Sequence, residues 1–210
     1  MSIENDFYNR TYIIAKTDKK YIPVGEYEHK FCFSGVLIPN NILIIKQRAF
    51  RGCEALKSVK LPDMLERIDM RAFAGCGLTN VIIPDTVTNI GKGAFWGCEN
   101  LESVILSKNI TNIQCNTFTG CSNLKSIIIP DGVKRIGSNA FKGCHRLENV
   151  FIPNTVISIS EHAFCRCYSL KNINIPDSVQ YIGKHAFEHC RNLTDITISD
   201  NVKTGKNIFC

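Results

Sequence analysis

The residues of this sequence that could do chemistry, judged by type and spacing, lie between positions 162 and 190. They are His162, Cys165, Cys167, His189 and Cys190. Zinc prefers four nitrogen or sulfur ligands in a tetrahedron, but the Cys-Arg-Cys spacing matches no recurrent zinc finger. Cys167 and Cys190 also belong to a row of cysteines that recurs along the whole chain, and this row explains them without a metal. The sequence therefore predicts no metal site and no cofactor.

Motifs for catalysis are missing from the sequence. It contains no nucleophile elbow, phosphate-binding loop or HExxH motif. The glycines of Gly91-Lys92-Gly93 and Gly205-Lys206 are parts of a repeated turn. We therefore expect no catalytic residues and no enzyme activity.

Basic and polar side chains recur at one position of the repeat, namely Arg48, Arg71, Asn139, His162 and His185, with Lys92 and Lys184 beside them. With a net charge of +6, such a ridge could attract nucleic acid. However, Gly93 and Asn116 interrupt the row and Glu161 interrupts its neighbour. The aromatic residues that single-strand binders interleave with basic ones are also absent. A solvated convex face without nucleic acid is the better interpretation.

A 23-residue repeat positions all of these residues. The segment from Ile129 to Pro153 begins and ends on an Ile-Pro pair, and related pairs recur along the chain at steps of 23 residues, with one step of 22 near Gly77. The members of the phenylalanine row are Phe50, Phe73, Phe95, Phe118, Phe141, Phe164, Phe187 and Phe209. The members of the cysteine row are Cys53, Cys76, Cys98, Cys121, Cys144, Cys167 and Cys190. A period of this length is typical of a solenoid.

The pattern LxxVxIPxxVxxIGxxAFxxC resembles the BspA-type, or Treponema-type, leucine-rich repeat over about Phe33 to Cys210. The resemblance implies a right-handed curved solenoid, with a parallel β-sheet on the concave face, that is used mainly for binding and adhesion, often at bacterial or protist surfaces. Departures from the pattern are Ser107 and Ser199 in place of proline, and Thr117 in place of alanine.

The residues of one repeat agree with this fold. Val150 and Ile152 alternate with Asn149 and Phe151, so one pair faces the core of a strand and the other pair faces away. The proline that follows ends the ladder of hydrogen bonds. The Ile-Gly turn allows a positive φ or a tight approach of backbones. We expect one short helical or 3₁₀ turn on the convex side, which buries each phenylalanine almost fully.

We divide the chain into an N-terminal cap segment, residues 1–32, and a solenoid, residues 33–210, of about seven 23-residue repeats with a truncated eighth. A solenoid needs its first apolar face covered, although the cap segment could instead be a disordered tail. The cysteine row is expected to be buried, free thiol. The sequence shows no signal peptide, spanning segment or lipid anchor, so we expect a cytoplasmic protein without membrane insertion. The resemblance implies the cell surface as the alternative.

The strand positions that face away from the core suggest a function. Ile82, Ile105, Ile128 and Phe151 occupy the same outward position in four consecutive strands, and Lys60, Asn174 and Thr197 border them. The charged residues Glu102, Lys125 and Glu148 lie beside them with alternating sign. A contiguous apolar patch often marks an interface, although β-branched residues in a ladder can also serve the sheet alone. We therefore predict that this concave surface binds a protein or peptide partner, with adhesion or a purely structural spacer as alternatives.

Overall fold

The computed structural model describes residues 3–6, 11–14, 18–29, 33–194 and 196–209, with the backbone alone for 3–6 and 11–13. The described residues form a solenoid of mostly parallel β-strands, in which most coils contribute one strand to each of two columns. The solenoid of parallel strands predicted from the sequence is confirmed.

The first column holds most of the longer strands. They are β1 (Ile3–Asp6), β2 (Thr11–Ile14), β4 (Gly35–Leu37), β6 (Ser58–Lys60), β8 (Asn80–Ile82), β10 (Ser103–Ile105), β12 (Ser126–Ile128), β14 (Asn149–Phe151) and β16 (Asn172–Ile173). Apart from β1, which is antiparallel to β2, paired strands in this column are parallel. They pair in register, so that Val104 lies beside Val81 and Ile105 beside Ile82.

The second column was not predicted, and its strands are two residues long. They are β3 (Tyr21–Ile22), β5 (Ile44–Ile45), β7 (Arg67–Ile68), β9 (Asn89–Ile90), β11 (Asn112–Ile113), β13 (Arg135–Ile136), β15 (Ser158–Ile159), β17 (Tyr181–Ile182) and β18 (Lys203–Thr204). In each strand from β3 to β17 the second residue is a buried isoleucine. The glycine that follows in three coils allows a tight approach rather than a positive φ. A Cβ on Gly137, for example, would lie 2.7 Å from the backbone nitrogen of Cys115.

The segment that leads to each phenylalanine forms turns, and the predicted helical or 3₁₀ turn is wrong for the described residues. Backbone N–H groups there alternate between two kinds of acceptor. The N–H of Ala140 donates to Gly137 within the turn at 3.1 Å, whereas the N–H of Phe141 donates to Ala163 of the next coil at 2.8 Å. A helix would use all of these donors internally. Here every second donor instead binds the neighbouring coil, so the turns add a third ladder of hydrogen bonds along the solenoid.

A stack of aromatic rings fills the core. The members of the phenylalanine row from Phe50 to Phe187 are at most 1% exposed, and consecutive rings in this row lie 5.2 to 5.6 Å apart with planes within 9° of parallel. The prediction of near-complete burial is confirmed for these residues but is wrong for Phe209, which is 45% exposed. Phe209 stacks on Phe187 at 6.0 Å, and much of its remaining surface is exposed.

The cysteine row runs beside the phenylalanine row. Each thiol donates a hydrogen bond to the carbonyl oxygen of the aromatic residue in the preceding coil, which is Tyr27 for Cys53 and a phenylalanine for the others, as for Cys144 and Phe118 at 3.2 Å. Cys76, Cys98, Cys121, Cys144 and Cys167 are buried free thiols, and Cys190 is partly buried. Burial raises the pKa of Cys98 to about 12. Cysteine suits this position because it is a small apolar side chain with one weak donor, which ties neighbouring coils together.

The ladder extends into the first 32 residues. β2 is parallel to β4 and β3 is parallel to β5, while Tyr27 stacks on Phe50 at 5.0 Å. β1 lies antiparallel at the outer side of β2. The described parts of residues 11–29 therefore form a coil ahead of β4. Whether residues 1–32 act as a cap stays a prediction.

Candidate functional site

The four apolar residues singled out from the sequence form a strip on the outer face of the first column. We call Ile82, Ile105, Ile128 and Phe151 the apolar strip. They are between 60% and 71% exposed, whereas the intervening residues Val81, Val104, Ile127 and Val150 are buried. The strand pairing places Ile82 beside Ile105 and Ile128 beside Phe151. The ladder is interrupted between β10 and β12, but these two strands are in contact. The structure thus brings the four predicted residues together as one continuous exposed row.

The charged residues beside the apolar strip pair with one another from coil to coil. The Lys125 ammonium lies 2.7 Å from the Glu102 carboxylate, and Lys171 lies 3.0 Å from Glu148. The hydrogen bond and the charge of Lys125 lower the pKa of Glu102. The charges of this border therefore alternate in sign and cancel in pairs, so the border is neither a positive nor a negative patch.

Each of the four strands that carry the apolar strip begins with a short, polar, exposed residue, namely Asn80, Ser103, Ser126 or Asn149. There the Ser103 hydroxyl donates to the Asn80 side-chain oxygen at 2.6 Å. Side chains of this size leave the neighbouring apolar strip open to solvent, and they add polar groups that a partner's backbone could bind.

The row that the sequence suggested as a basic ridge has a conformational explanation. Its members all have positive φ, between 53° and 63°: Arg48, Arg71, Gly93, Asn116, Asn139, His162, His185 and Asn207. Glycine and asparagine tolerate this left-handed region best. The alternation of Gly93, Asn116 and Asn139 with charged residues was therefore the sequence signal for a repeated left-handed turn.

The histidine and cysteine cluster separates into two groups in the structure. Cys167 and Cys190 point toward the phenylalanine carbonyls of the core, and His189 has a positive φ in a second left-handed row. His162 and Cys165 instead meet Glu188 of the next coil, and their ligand atoms lie within 4.8 Å of one another. Sequence reasoning missed Glu188, although it lies one 23-residue period after Cys165.

A depression of about 310 Å³ lies on the turn side, where Gly93 leaves room between larger side chains. Its walls include Trp96, over which the Arg71 guanidinium packs at 5.5 Å from the ring centroid. This cation–π pair occupies part of the surface. The depression brings together no residues that the sequence predicted for binding.

The coil length, the two parallel columns and the buried phenylalanine and leucine rows define a leucine-rich-repeat solenoid. The sequence matches the family described as BspA type Leucine rich repeat region in six copies, over residues 20–148 and 111–210. The chain belongs to this family. Leucine-rich-repeat solenoids of this kind fit a general role in protein interaction and are generally noncatalytic. A comparison with curated proteins gives no significant match.

Solved structures agree with this assignment. A leucine-rich repeat protein from Bacteroides ovatus is 35% identical with a TM-score of 0.89, and the match covers 95% of this chain and 52% of the other. One from Eubacterium ventriosum is 23% identical with a TM-score of 0.76, and the match covers 87% and 50%. A leucine rich cell surface protein from Faecalibacterium prausnitzii is 27% identical with a TM-score of 0.58, and the match covers 93% and 52%. The chain spans about half the length of these three proteins.

Within the described parts of the chain, there is no helix long and apolar enough to cross a membrane.

Proposed function

We propose that this chain is a noncatalytic interaction scaffold that binds a protein or peptide partner on the apolar strip and its charged border. The observation that carries the proposal is the exposure of four large apolar side chains in consecutive strands. Single exposed apolar residues are common on any protein surface, but contiguous ones are typical of interfaces.

The surroundings of the apolar strip support a limited binding site rather than a featureless sheet. The corresponding residues that border the apolar strip, Lys60, Asn174 and Thr197, are exposed and polar, whereas Leu37 of β4, one coil before Lys60, is apolar and partly buried. An apolar centre with a polar rim is the usual arrangement of an interface. A role in the ladder alone could explain the β-branched isoleucines, but it accounts least well for Phe151.

The charged border indicates which kind of partner would fit. Because Glu102 pairs with Lys125 and Glu148 pairs with Lys171, the border carries no net charge that would attract a strongly acidic or basic ligand. A partner with a short apolar segment flanked by polar groups would bury the apolar strip. It would leave both ion pairs at the solvent-exposed rim, where such pairs contribute little to affinity.

Adhesion is the second candidate for the same surface. It is favoured by the similarity to the cell surface protein from Faecalibacterium prausnitzii. On that reading the partner would be a host or matrix protein, and the contact residues would be the same.

A selection from a displayed random-peptide library tests the proposal. The best binder is titrated calorimetrically against the wild-type chain and against Ile105→Asp/Ile128→Asp, which places two charges in the centre of the apolar strip. We expect its affinity to fall at least about thirtyfold, as loss of a central apolar anchor does at an interface.

Met64→Asp/Ile157→Asp is the matched control, because it adds the same charges at two exposed apolar residues outside the strip. The control should bind like the wild type. Equal affinity of all three proteins would place the site elsewhere, and failure to select any binder would favour the structural spacer.

A further inference from the structure

Two neighbouring turns bring together four side chains that can bind metals, namely two histidines, a cysteine and a glutamate. One turn reads His162-Ala-Phe-Cys165 and the next reads His185-Ala-Phe-Glu188. The Cys165 Sγ lies 3.3 Å from Glu188 Oε2, and His162 Nδ1 lies 3.5 Å from the same oxygen. Ligands bound to one zinc ion at about 2.0–2.3 Å lie roughly 3.3–3.8 Å apart in a tetrahedron. The two separations that involve Glu188 are therefore those of adjacent ligands around one ion, and all three ligand atoms lie within 4.8 Å of one another.

The backbone holds these side chains in place. His162 has a φ of 54°, and the Cys165 N–H donates to the His162 carbonyl at 3.1 Å, so the first and fourth residues of the turn face the same way. The Phe164 N–H donates to Ala186 of the next coil at 2.8 Å. This bond fixes Cys165 relative to Glu188. Little reorganisation would be needed to bring the three ligands onto an ion.

Neighbouring groups orient the ligands as they do in known metal sites. His162 Nε2 lies 3.3 Å from the Glu161 carboxylate, and Lys184 lies 3.1 Å from the same Glu161 oxygen. A carboxylate at one ring nitrogen favours a proton there and leaves the other nitrogen free to bind a metal. That other nitrogen, Nδ1 of His162, is buried and has no hydrogen-bond partner within the described parts of the chain. His185 Nδ1 lies 3.5 Å from Glu188 Oε1 and positions the carboxylate from its other side.

We propose that His162 Nδ1, Cys165 Sγ and a Glu188 carboxylate oxygen bind one zinc ion, with water as the fourth ligand. The set contains one soft, one borderline and one hard donor, which suits zinc better than magnesium or calcium. The thiolate and the carboxylate together neutralise the double charge of the ion. The site would link two adjacent coils and is separate from the proposed binding surface.

Binding exchanges a proton for the metal. The Cys165 S–H bond breaks, the proton passes to solvent, and the sulfur lone pair forms the bond to zinc, without any change of oxidation state. The pKa of Cys165 is raised to about 11, mainly by burial and to a smaller extent by the hydrogen bond to Glu188. The ion must therefore displace this proton at neutral pH. Lys142 and Arg166 are close enough to favour the thiolate.

Titration of the whole chain with Co²⁺ under a phosphine reductant, followed by displacement with Zn²⁺, tests the proposal. We expect one Co²⁺ per chain with a sulfur-to-cobalt charge-transfer band that Zn²⁺ abolishes. Cys165→Ser and His162→Asn should each weaken binding by at least about 100-fold, the upper range for loss of a group that only supports a ligand. Asparagine is the matched replacement for His162 because Asn116 and Asn139 hold the same positive φ in other coils.

Two further variants separate this site from binding by other residues. Cys115→Ser removes a partly exposed thiol elsewhere and should leave the affinity unchanged, whereas Glu161→Gln should weaken it about tenfold by removing the charge that orients His162. The proposal is overturned if the wild type gives no charge-transfer band. It is equally overturned if the band survives in both Cys165→Ser and His162→Asn, or disappears in Cys115→Ser.

Discussion

Replacement of Phe141 by alanine should divide the solenoid. The Phe141 ring is fully buried, and its centroid lies 5.5 Å from that of Phe118 and 5.3 Å from that of Phe164. Removal of a buried phenylalanine costs about 3–5 kcal/mol through lost burial and the cavity left behind. Two ring contacts of about 0.5–1.5 kcal/mol each form part of this cost.

The loss acts on both neighbouring interfaces because each coil contacts only the coils beside it. We expect urea denaturation, followed by far-ultraviolet circular dichroism, to show a lower midpoint and more than one transition. Phe209→Ala is the control. Phe209 has one stacked neighbour at 6.0 Å and is already half-exposed, so its loss should cost about 1–2 kcal/mol. A Phe141→Ala protein that unfolds in one step, within about 1 kcal/mol of the wild type, would refute the idea of a continuous aromatic stack.

Three further predictions concern the backbone and the thiols. A Cβ on Gly77 would lie 2.1 Å from the Glu54 carbonyl oxygen, so Gly77→Ala should cost about 1–3 kcal/mol in urea denaturation, and an unchanged midpoint would contradict the close approach. A Cβ on Gly143 would lie 3.8 Å from the backbone of Gly120, which is an ordinary contact, but the φ of Gly143 is 74°. Gly143→Ala should therefore cost about 1–2 kcal/mol because of the left-handed backbone alone, whereas Arg166→Gly at the same repeat position should not destabilise the protein. Because burial raises the pKa of the cysteine row, as in Cys98, a thiol reagent at pH 8 should react with this row only after denaturation; rapid reaction in the native state would show that the row is accessible.

Periodicity made the long rows of the core predictable. A residue that repeats every 23 positions must lie in the same environment in each coil, and this reasoning correctly placed the phenylalanine and cysteine rows and the exposed strip. It also applied to Tyr27, which lies 23 residues before Phe50. This coil was not predicted, because it has tyrosine in place of the phenylalanine and lacks the cysteine three residues later.

Features that depend on contacts between coils were harder to predict. The second column rests on a single buried isoleucine per strand, such as Ile136, which is too short for an alternating pattern. The turns are not helical because half of their N–H donors bind the next coil, and no sequence pattern within one repeat carries that information. Glu188 lies in the coil after that of His162 and Cys165, and it comes close to them only because adjacent coils stack.

The central claim is that Ile127 belongs to the core, whereas its neighbour Ile128 belongs to an exposed surface that a partner can bind. Substitution of these two residues of β12 tests the claim most directly. Ile127 is 2% exposed and Ile128 is 71% exposed, so the same substitution should destabilise the protein at position 127 and leave its stability almost unchanged at position 128. Urea denaturation of Ile127→Asp and Ile128→Asp measures this. We expect Ile127→Asp to lose more than about 4 kcal/mol or to fail to fold, because it buries an unpaired charge, and Ile128→Asp to remain within about 0.5 kcal/mol of the wild type. Comparable destabilisation by both substitutions would mean that the apolar strip belongs to the core and is not a surface for a partner.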